Sequence, residues 1–240
     1  MSGQRDGSID PTIAMFDAAA QRMARGVDAE LSAGRYLRGE LFVDAVQRTT
    51  RPGGRILDYG CGTGRISLLL ARAGFSVVGA EPSRELMRQS QQQEALPQSL
   101  TFCNIRPGLT DGLEKECFDT IVCSSVIEFV PDPHELLRSF HRLIAPEGRL
   151  LLSFANRSSM WRGYAEWRFG ASEPHFKRQH NIWREGDAWK VLNATKFMKA
   201  QRTTYFDSPF DRYAMLRSTS RLSWLGTLGL LYARPVSDGA

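Results

Sequence analysis

Acidic side chains set beside a glycine-rich turn are a source of ligand chemistry. In Ile56-Leu57-Asp58-Tyr59-Gly60-Cys61-Gly62-Thr63-Gly64 an apolar strand ends in a carboxylate and then turns through three alternating glycines. Glycine tolerates positive φ and lets a ligand approach the backbone. In an open α/β sheet such a turn borders the crevice where ligands sit. A dinucleotide site spaces its glycines G-x-G-x-x-G to seat a pyrophosphate. Here the third glycine comes one residue early, and Asp58 would face the phosphates with like charge. A triphosphate loop would be followed by a lysine, and none follows. Asp58 suits a cation instead, such as the ammonium group of a sulfonium ligand, or its bound water. A second run, Val77-Val78-Gly79-Ala80-Glu81-Pro82-Ser83, ends in another acid. It falls about twenty residues after the glycine turn, where a carboxylate can accept both hydroxyls of a ribose.

These residues need a scaffold that gathers them at one edge. Short apolar runs at 55–58, 76–80, 100–104, 120–124 and 149–154 alternate with helical patterns at 64–73, 83–93 and 134–144. Such alternation predicts a mostly parallel sheet covered on both faces. Upstream, Asp10-Pro11 starts a helical region that reaches about Arg48, with breaks at Gly26 and Gly34. Downstream, residues 156–199 lose the rhythm and carry Trp161, Tyr164, Trp167, Phe169, Phe176, Trp183 and Trp189 among arginines. Runs at 200–206 and 228–233 read as two last strands. The expected fold is a Rossmann-like, doubly wound α/β sheet of seven strands, with N-terminal helices and an inserted lid before the last two strands. Residues 1–10 are expected to be disordered and 11–240 to form one domain. Its parts are a helical cap (11–50), a core (51–155), a lid (156–199) and the final strands (200–240).

Two more runs complete a series. Thr120-Ile121-Val122-Cys123-Ser124-Ser125-Val126-Ile127-Glu128-Phe129-Val130-Pro131-Asp132-Pro133 forms a fourth strand and its loop, and Leu143-Ile144-Ala145-Pro146-Glu147-Gly148-Arg149 turns into a fifth. In order and spacing, the four motifs resemble those of class I S-adenosylmethionine (SAM)-dependent methyltransferases over roughly residues 35–155. They are similar to the branch that includes ubiquinone-biosynthesis O-methyltransferases and many small-molecule methyltransferases. The resemblance implies SAM as cofactor, released as S-adenosylhomocysteine (SAH). It implies that Asp58, Gly60 and Gly62, with Cys61 in the same loop, lie along the methionine part, and that Glu81 binds the ribose. Pro82, Ser83 and Met87 would border the adenosine, and Ser124, Ser125 and Val126 would line the cofactor beneath the methyl group. Arg38, with Arg35 as a competitor, would approach the SAM carboxylate. One departure concerns the adenine. The family usually has an Asp after strand three, whereas here Phe102-Cys103-Asn104-Ile105 leaves the contact to the Asn104 amide or the Ile105 backbone. Glu147 also stands where the strand-five turn usually has glycine.

Methyl transfer from a sulfonium is an in-line displacement with an activated leaving group, so the protein chiefly positions the nucleophile. A general base is needed where an acceptor hydroxyl must lose its proton. The candidates are Glu128 near the sheet's carboxyl edge, His134 at the following helix start, and His180 in the aromatic insert. His175 shares that insert, and His141 reads as structural. The insert suits a lid over a planar or apolar acceptor, though interleaved arginines and aromatics can also stack nucleic-acid bases. The net charge of +5 is spread along the chain, and no Asn-Pro-Pro-Tyr motif follows strand four. The reading is therefore methylation at O or N of a small, aromatic or heterocyclic metabolite. The alternatives are an RNA or protein acceptor, or a non-catalytic SAM-binding subunit. Four cysteines, without a CxxC pair or zinc spacing, argue for reduced thiols, a cytoplasmic setting and no metal. The polar start lacks a signal core and no apolar run approaches a membrane span, so no membrane partner is expected. A monomer or homodimer is expected.

Overall fold

The computed structural model describes residues 10–25, 32–93, 95–110, 112–113, 117–170, 174–206 and 226–236. Apart from Asp10, the stretch expected to be disordered lies outside them, as does Gly26. Two helices, α1 (Pro11–Arg25) and α2 (Ser32–Thr49), precede the sheet. Helix α2 runs through Gly34, where a break was expected. A glycine costs a helix only about 1 kcal/mol, and Phe42, Ala45 and Val46 farther along are buried in the core.

The alternation follows as β1 (Arg55–Tyr59), α3 (Arg65–Arg72), β2 (Ser76–Glu81), α4 (Arg84–Gln91), β3 (Leu100–Asn104), β4 (Phe118–Cys123), α5 (Pro133–Leu143) and β5 (Ile144–Asn156). These five strands pair in parallel in the order β3-β2-β1-β4-β5. Strand β1 therefore has β2 on one side and β4 on the other, which makes it the point where strand order reverses and a crevice opens. Asp58 stands there, opposite Gly79 and Val122. The helix starts have local causes. Ser83 and Asp132 accept hydrogen bonds from the backbone N–H groups of Leu86 and Glu135 and so cap α4 and α5, and Pro133 opens α5. Leu136, Leu137, Phe140 and Leu143 then form one buried face.

After β5 come α6 (Met160–Phe169), α7 (Pro174–Arg178), β6 (Ile182–Trp183), α8 (Glu185–Ala194), β7 (Phe197–Lys199), β8 (Thr204–Phe206) and β9 (Leu228–Pro235). The sheet path is β3-β2-β1-β4-β5-β9-β7, seven strands in a row, with β6 on β5 and β8 on β9. Strand β9 is antiparallel to its neighbours. The single strand expected at 200–206 is instead an interrupted edge. Segments β7 and β8 pair with successive parts of β9, and Ala200–Thr203 bulges between them. That bulge lets the Thr203 hydroxyl donate to Glu185, which also accepts from Tyr205 and Lys199. The stretch 156–199 divides in two. Helix α8 buries Ala188 and Leu192 in the core beside Phe197, whereas α6 and α7 lie over the sheet's carboxyl edge. One core cluster, with Phe140 and Leu192, covers one face of the sheet, and a second, with Phe42 and Leu70, covers the other. Among the described residues no helix is long and apolar enough to cross a membrane.

Candidate active site

The carboxyl ends of β1, β2 and β4 open into a cavity of about 600 Å³. One half is built on the glycine turn. The N–H groups of Gly60 and Cys61 both donate to the Ala80 carbonyl, at 2.7 and 3.1 Å, which folds the turn against β2. At Gly60 φ is +70°, and a Cβ would stand 2.3 Å from Val126 Cγ2. Gly62 also has positive φ, +59°, but a Cβ there would meet nothing within 4 Å. Asp58 is 1% exposed, and its Oδ2 accepts from Ser67 Oγ at 2.6 Å. Burial pushes its carboxyl up to about 6. Glu81, 5% exposed, accepts from Gly62 N at 2.8 Å through Oε2 and from Ser83 N at 2.9 Å through Oε1. Burial raises it to about 7. Each oxygen keeps a further lone pair for a ligand.

The other half lies past β4. Ser125 takes φ +56°, and its N–H donates to the buried Ser153 hydroxyl at 2.7 Å. This left-handed residue swings the chain into a short 3-10 turn, Ile127–Phe129, which aims Glu128 into the cavity. Glu128 is 2% exposed, and burial raises it to about 7 against the opposing pull of Arg38 and Arg162. Its Oε2 has no hydrogen-bond partner among the described residues. Segment 179–181 straps this turn down. The N–H groups of His180 and Asn181 donate to the Glu128 carbonyl, and Asn181 Nδ2 donates to the carbonyls of Ile127 and Val130 at 2.8 and 2.7 Å. From α6 comes Arg162, 6% exposed, which pairs with Glu166 at 2.6 Å and donates to Gln179. From α1 come Ile13 and Phe16, the latter edge-on to Phe129 at 5.1 Å.

Most of the residues singled out in the sequence meet here. Arg38, Asp58, Gly60, Cys61, Gly62, Glu81, Pro82, Ser124, Ser125, Val126 and Glu128 all line the cavity. Arg38 Nη1 donates to Ser125 Oγ at 3.2 Å, and the side chain of Arg35 lies outside the described residues. Others are not among the lining residues. Ser83 is turned inward to cap α4 and donate to Asp17. Met87 is buried, and Leu86, one residue earlier on the helix, faces the cavity in its place. Asn104 spends its Nδ2 on the carbonyls of Glu81 and Pro82, and buried Ile105 donates its N–H to Glu81. Pro107 and Gly108 form the wall there. His134 sits in the first turn of α5 away from the cavity, and the His180 side chain is exposed. His175 does line it, stacked near Phe176 at 4.1 Å. Phe16, Arg162 and Gln179 were not anticipated from the sequence. Each is an ordinary residue in an ordinary helical or loop pattern, and only the fold brings it to the cleft.

A methyltransferase-domain family matches residues 33–194, which is most of the chain. This chain belongs to that family. The methyltransferase is also similar to curated relatives. The ubiquinone biosynthesis O-methyltransferase of Xanthomonas campestris pv. campestris is 33% identical over 114 residues, 46% of this chain and 47% of that one. The enzyme of the same name from Glaesserella parasuis is 32% identical over 113 residues, 45% and 48% of the two chains. The methyltransferase thus spans about half the length of the curated relatives it matches. Among solved structures, magnesium protoporphyrin IX methyltransferase from Synechocystis PCC 6803 with bound SAM superposes with a TM-score of 0.68 at 20% identity, covering 96% of this chain and 100% of that one. A possible histamine N-methyltransferase from Thermotoga maritima gives 0.67 at 18% identity, covering 92% and 99%. The shared fold is that of class I SAM-dependent methyltransferases.

Proposed function

We propose that this methyltransferase moves the methyl group of SAM to a hydroxyl or N–H of a small, aromatic acceptor. The observation that carries the reading is that one cavity joins the glycine turn with its two buried carboxyls to a third buried carboxyl, Glu128, whose Oε2 is unspent. The residues present fit the cofactor. A side chain at Gly62 would project into the open cleft, so glycine keeps room for a ligand against the backbone. Asp58 offers a carboxylate to an ammonium group, Arg38 a guanidinium to a carboxylate, and Glu81 two oxygens to a diol. When bound, SAM supplies an electrophilic methyl on sulfur, and the C–S electron pair leaves with the sulfur.

The chain's own part is to place the acceptor and take its proton. Phe16, Phe129 and Phe176 give the acceptor half apolar, planar walls. Glu128 lines the same cavity as Ser124, Ser125 and Val126 and accepts the hydroxyl proton as the oxygen attacks. A carboxyl held at about 7 is suited to a base working near neutrality. The base role falls to Glu128 rather than to His134 or His180, whose side chains do not reach the cavity.

Calorimetric titration with SAH, with NADH as a control, tests the cofactor claim on wild type and on Glu81→Ala. SAH binds and NADH does not, and the variant weakens SAH by about 10- to 100-fold, the range for losing hydrogen bonds to a charged group. NADH binding without SAH binding would sink the reading.

A further inference from the structure

We propose that the acceptor carries, beside the group that is methylated, a carboxylate that docks on Arg162. This deepens the methyl-transfer reading of the cleft and rests on it.

Two buried polar atoms face the acceptor half with no hydrogen-bond partner among the described residues, Glu128 Oε2 and Arg162 Nε. A native interior seldom leaves such atoms unspent, because each forfeits its hydration without return. They are complementary: Glu128 calls for a donor, whereas Arg162 offers an N–H and a positive charge. Both are more than nine-tenths buried. They come from different segments, the turn after β4 and helix α6 after β5, yet segment 179–181 ties them together. Gln179 accepts from Arg162, while His180 and Asn181 hold the Glu128 turn. A ligand that satisfies both must present a hydroxyl or N–H to one and an acceptor oxygen to the other.

The electrostatics select an anion for that second group. Glu166, the partner of Arg162, has a side chain 41% exposed, so water screens the pair on its outer side. On the inner side the guanidinium lies over the Phe176 ring at 5.6 Å. Desolvated guanidinium favours carboxylate over neutral oxygen. Phe16, Phe129 and Phe176 then select a flat body between the two polar ends.

The test is calorimetry on the full chain saturated with SAH, with salicylate as the hydroxy-acid probe and salicylamide as its neutral counterpart. Salicylate binds at least about tenfold more tightly than salicylamide. Arg162→Gln removes the preference and leaves SAH affinity unchanged, and Arg178→Gln, at an exposed arginine on α7, keeps it. The proposal is overturned if the two probes bind equally, if neither binds at millimolar concentration with SAH in place, or if Arg162→Gln weakens both alike. Failure of SAH itself to bind would overturn the cofactor reading instead, so the two claims fail separately. An unfolded Arg162→Gln chain would be exposed by its lost SAH binding. Arg162→Lys then takes its place, keeping the charge without the planar fork, and must retain part of the preference.

Discussion

In the cofactor half of the cleft, Asp58 and Glu81 are each held by neighbours on the same loop or the adjoining helix: Ser67 for the first, Gly62 and Ser83 for the second. In the acceptor half, Glu128 comes from the turn after β4 and Arg162 from the helix after β5, and a three-residue strap joins them. The first arrangement is complete within a β-α-β unit and the helix cap that follows, and its carboxyl groups are oriented before any ligand arrives. The second depends on long-range contacts and leaves an acceptor and a donor unspent. On the proposed reading, cofactor binding rests on the scaffold and acceptor choice on a strap laid across it. Changes in one half should leave the other's readout untouched.

The sharpest separation comes at Glu128. With a hydroxyl acceptor, Glu128→Gln lowers kcat by about 10²- to 10⁴-fold, the usual contribution of a general base, while SAH affinity stays at the wild-type value. The wild-type rate rises with pH through about 7 as Glu128 loses its proton, and that rise disappears in the variant. A matching loss of SAH binding would merge the two halves and break the comparison. Next in size is Asn181→Ala. It removes two hydrogen bonds to the Glu128 turn, each worth about 1 kcal/mol, so the acceptor KM rises about tenfold with little change in SAH affinity. The glycines probe the other half. Gly60→Ala and Gly62→Ala both incur the positive-φ strain of about 1–2 kcal/mol, but only the first meets Val126. Thermal melts of the SAH-free chain should therefore place Gly60→Ala below Gly62→Ala by a few degrees, at about 2–4 °C per kcal/mol for a chain of this size.

A further effect is on pH dependence and spans both halves. Burial raises Asp58 to about 6, and Glu81 and Glu128 to about 7. Between roughly pH 4 and 7 the folded chain keeps protons that the unfolded chain releases, so stability falls as pH climbs through that window and levels off above it. Melting temperatures of the SAH-free protein across that range check the sign. Glu128→Gln should shallow the slope.

The cofactor half was legible because its chemistry is contiguous. Strand, acid, glycines and helix follow one another, and the period-two and period-3.6 patterns place them. The limits were rotational. Met87 and Leu86 differ by one step of a helix, about 100° of turn, which decides which one faces the cleft. Asn104 was expected to offer its amide oxygen, or to leave the adenine contact to the Ile105 backbone, and the pattern did not show that its Nδ2 braces the carbonyls of Glu81 and Pro82. In the acceptor half, Glu128 was readable from its place after β4. Arg162 was not, because α6 reverses the usual pattern: an arginine is buried while Met160, Tyr164 and Trp167 face outward. The edge strand was misjudged for a similar reason, since the bulge at 200–203 answers to Glu185, a partner far away in sequence.

The position of β9 bears on how the chain is made. It lies between β5 and the β7–β8 edge, although it follows both in the chain. During vectorial synthesis, β1 to β5 can assemble as they emerge from the ribosome, but β7 and β8 have no slot until β9 arrives and pairs on both of its sides. For that interval β5 ends the nascent sheet as an open, strongly apolar edge, with Leu150, Leu151 and Leu152 awaiting cover. A ribosome that stalls after Phe206 would hold out a sheet with an unpaired margin, an aggregation hazard and a substrate for chaperones.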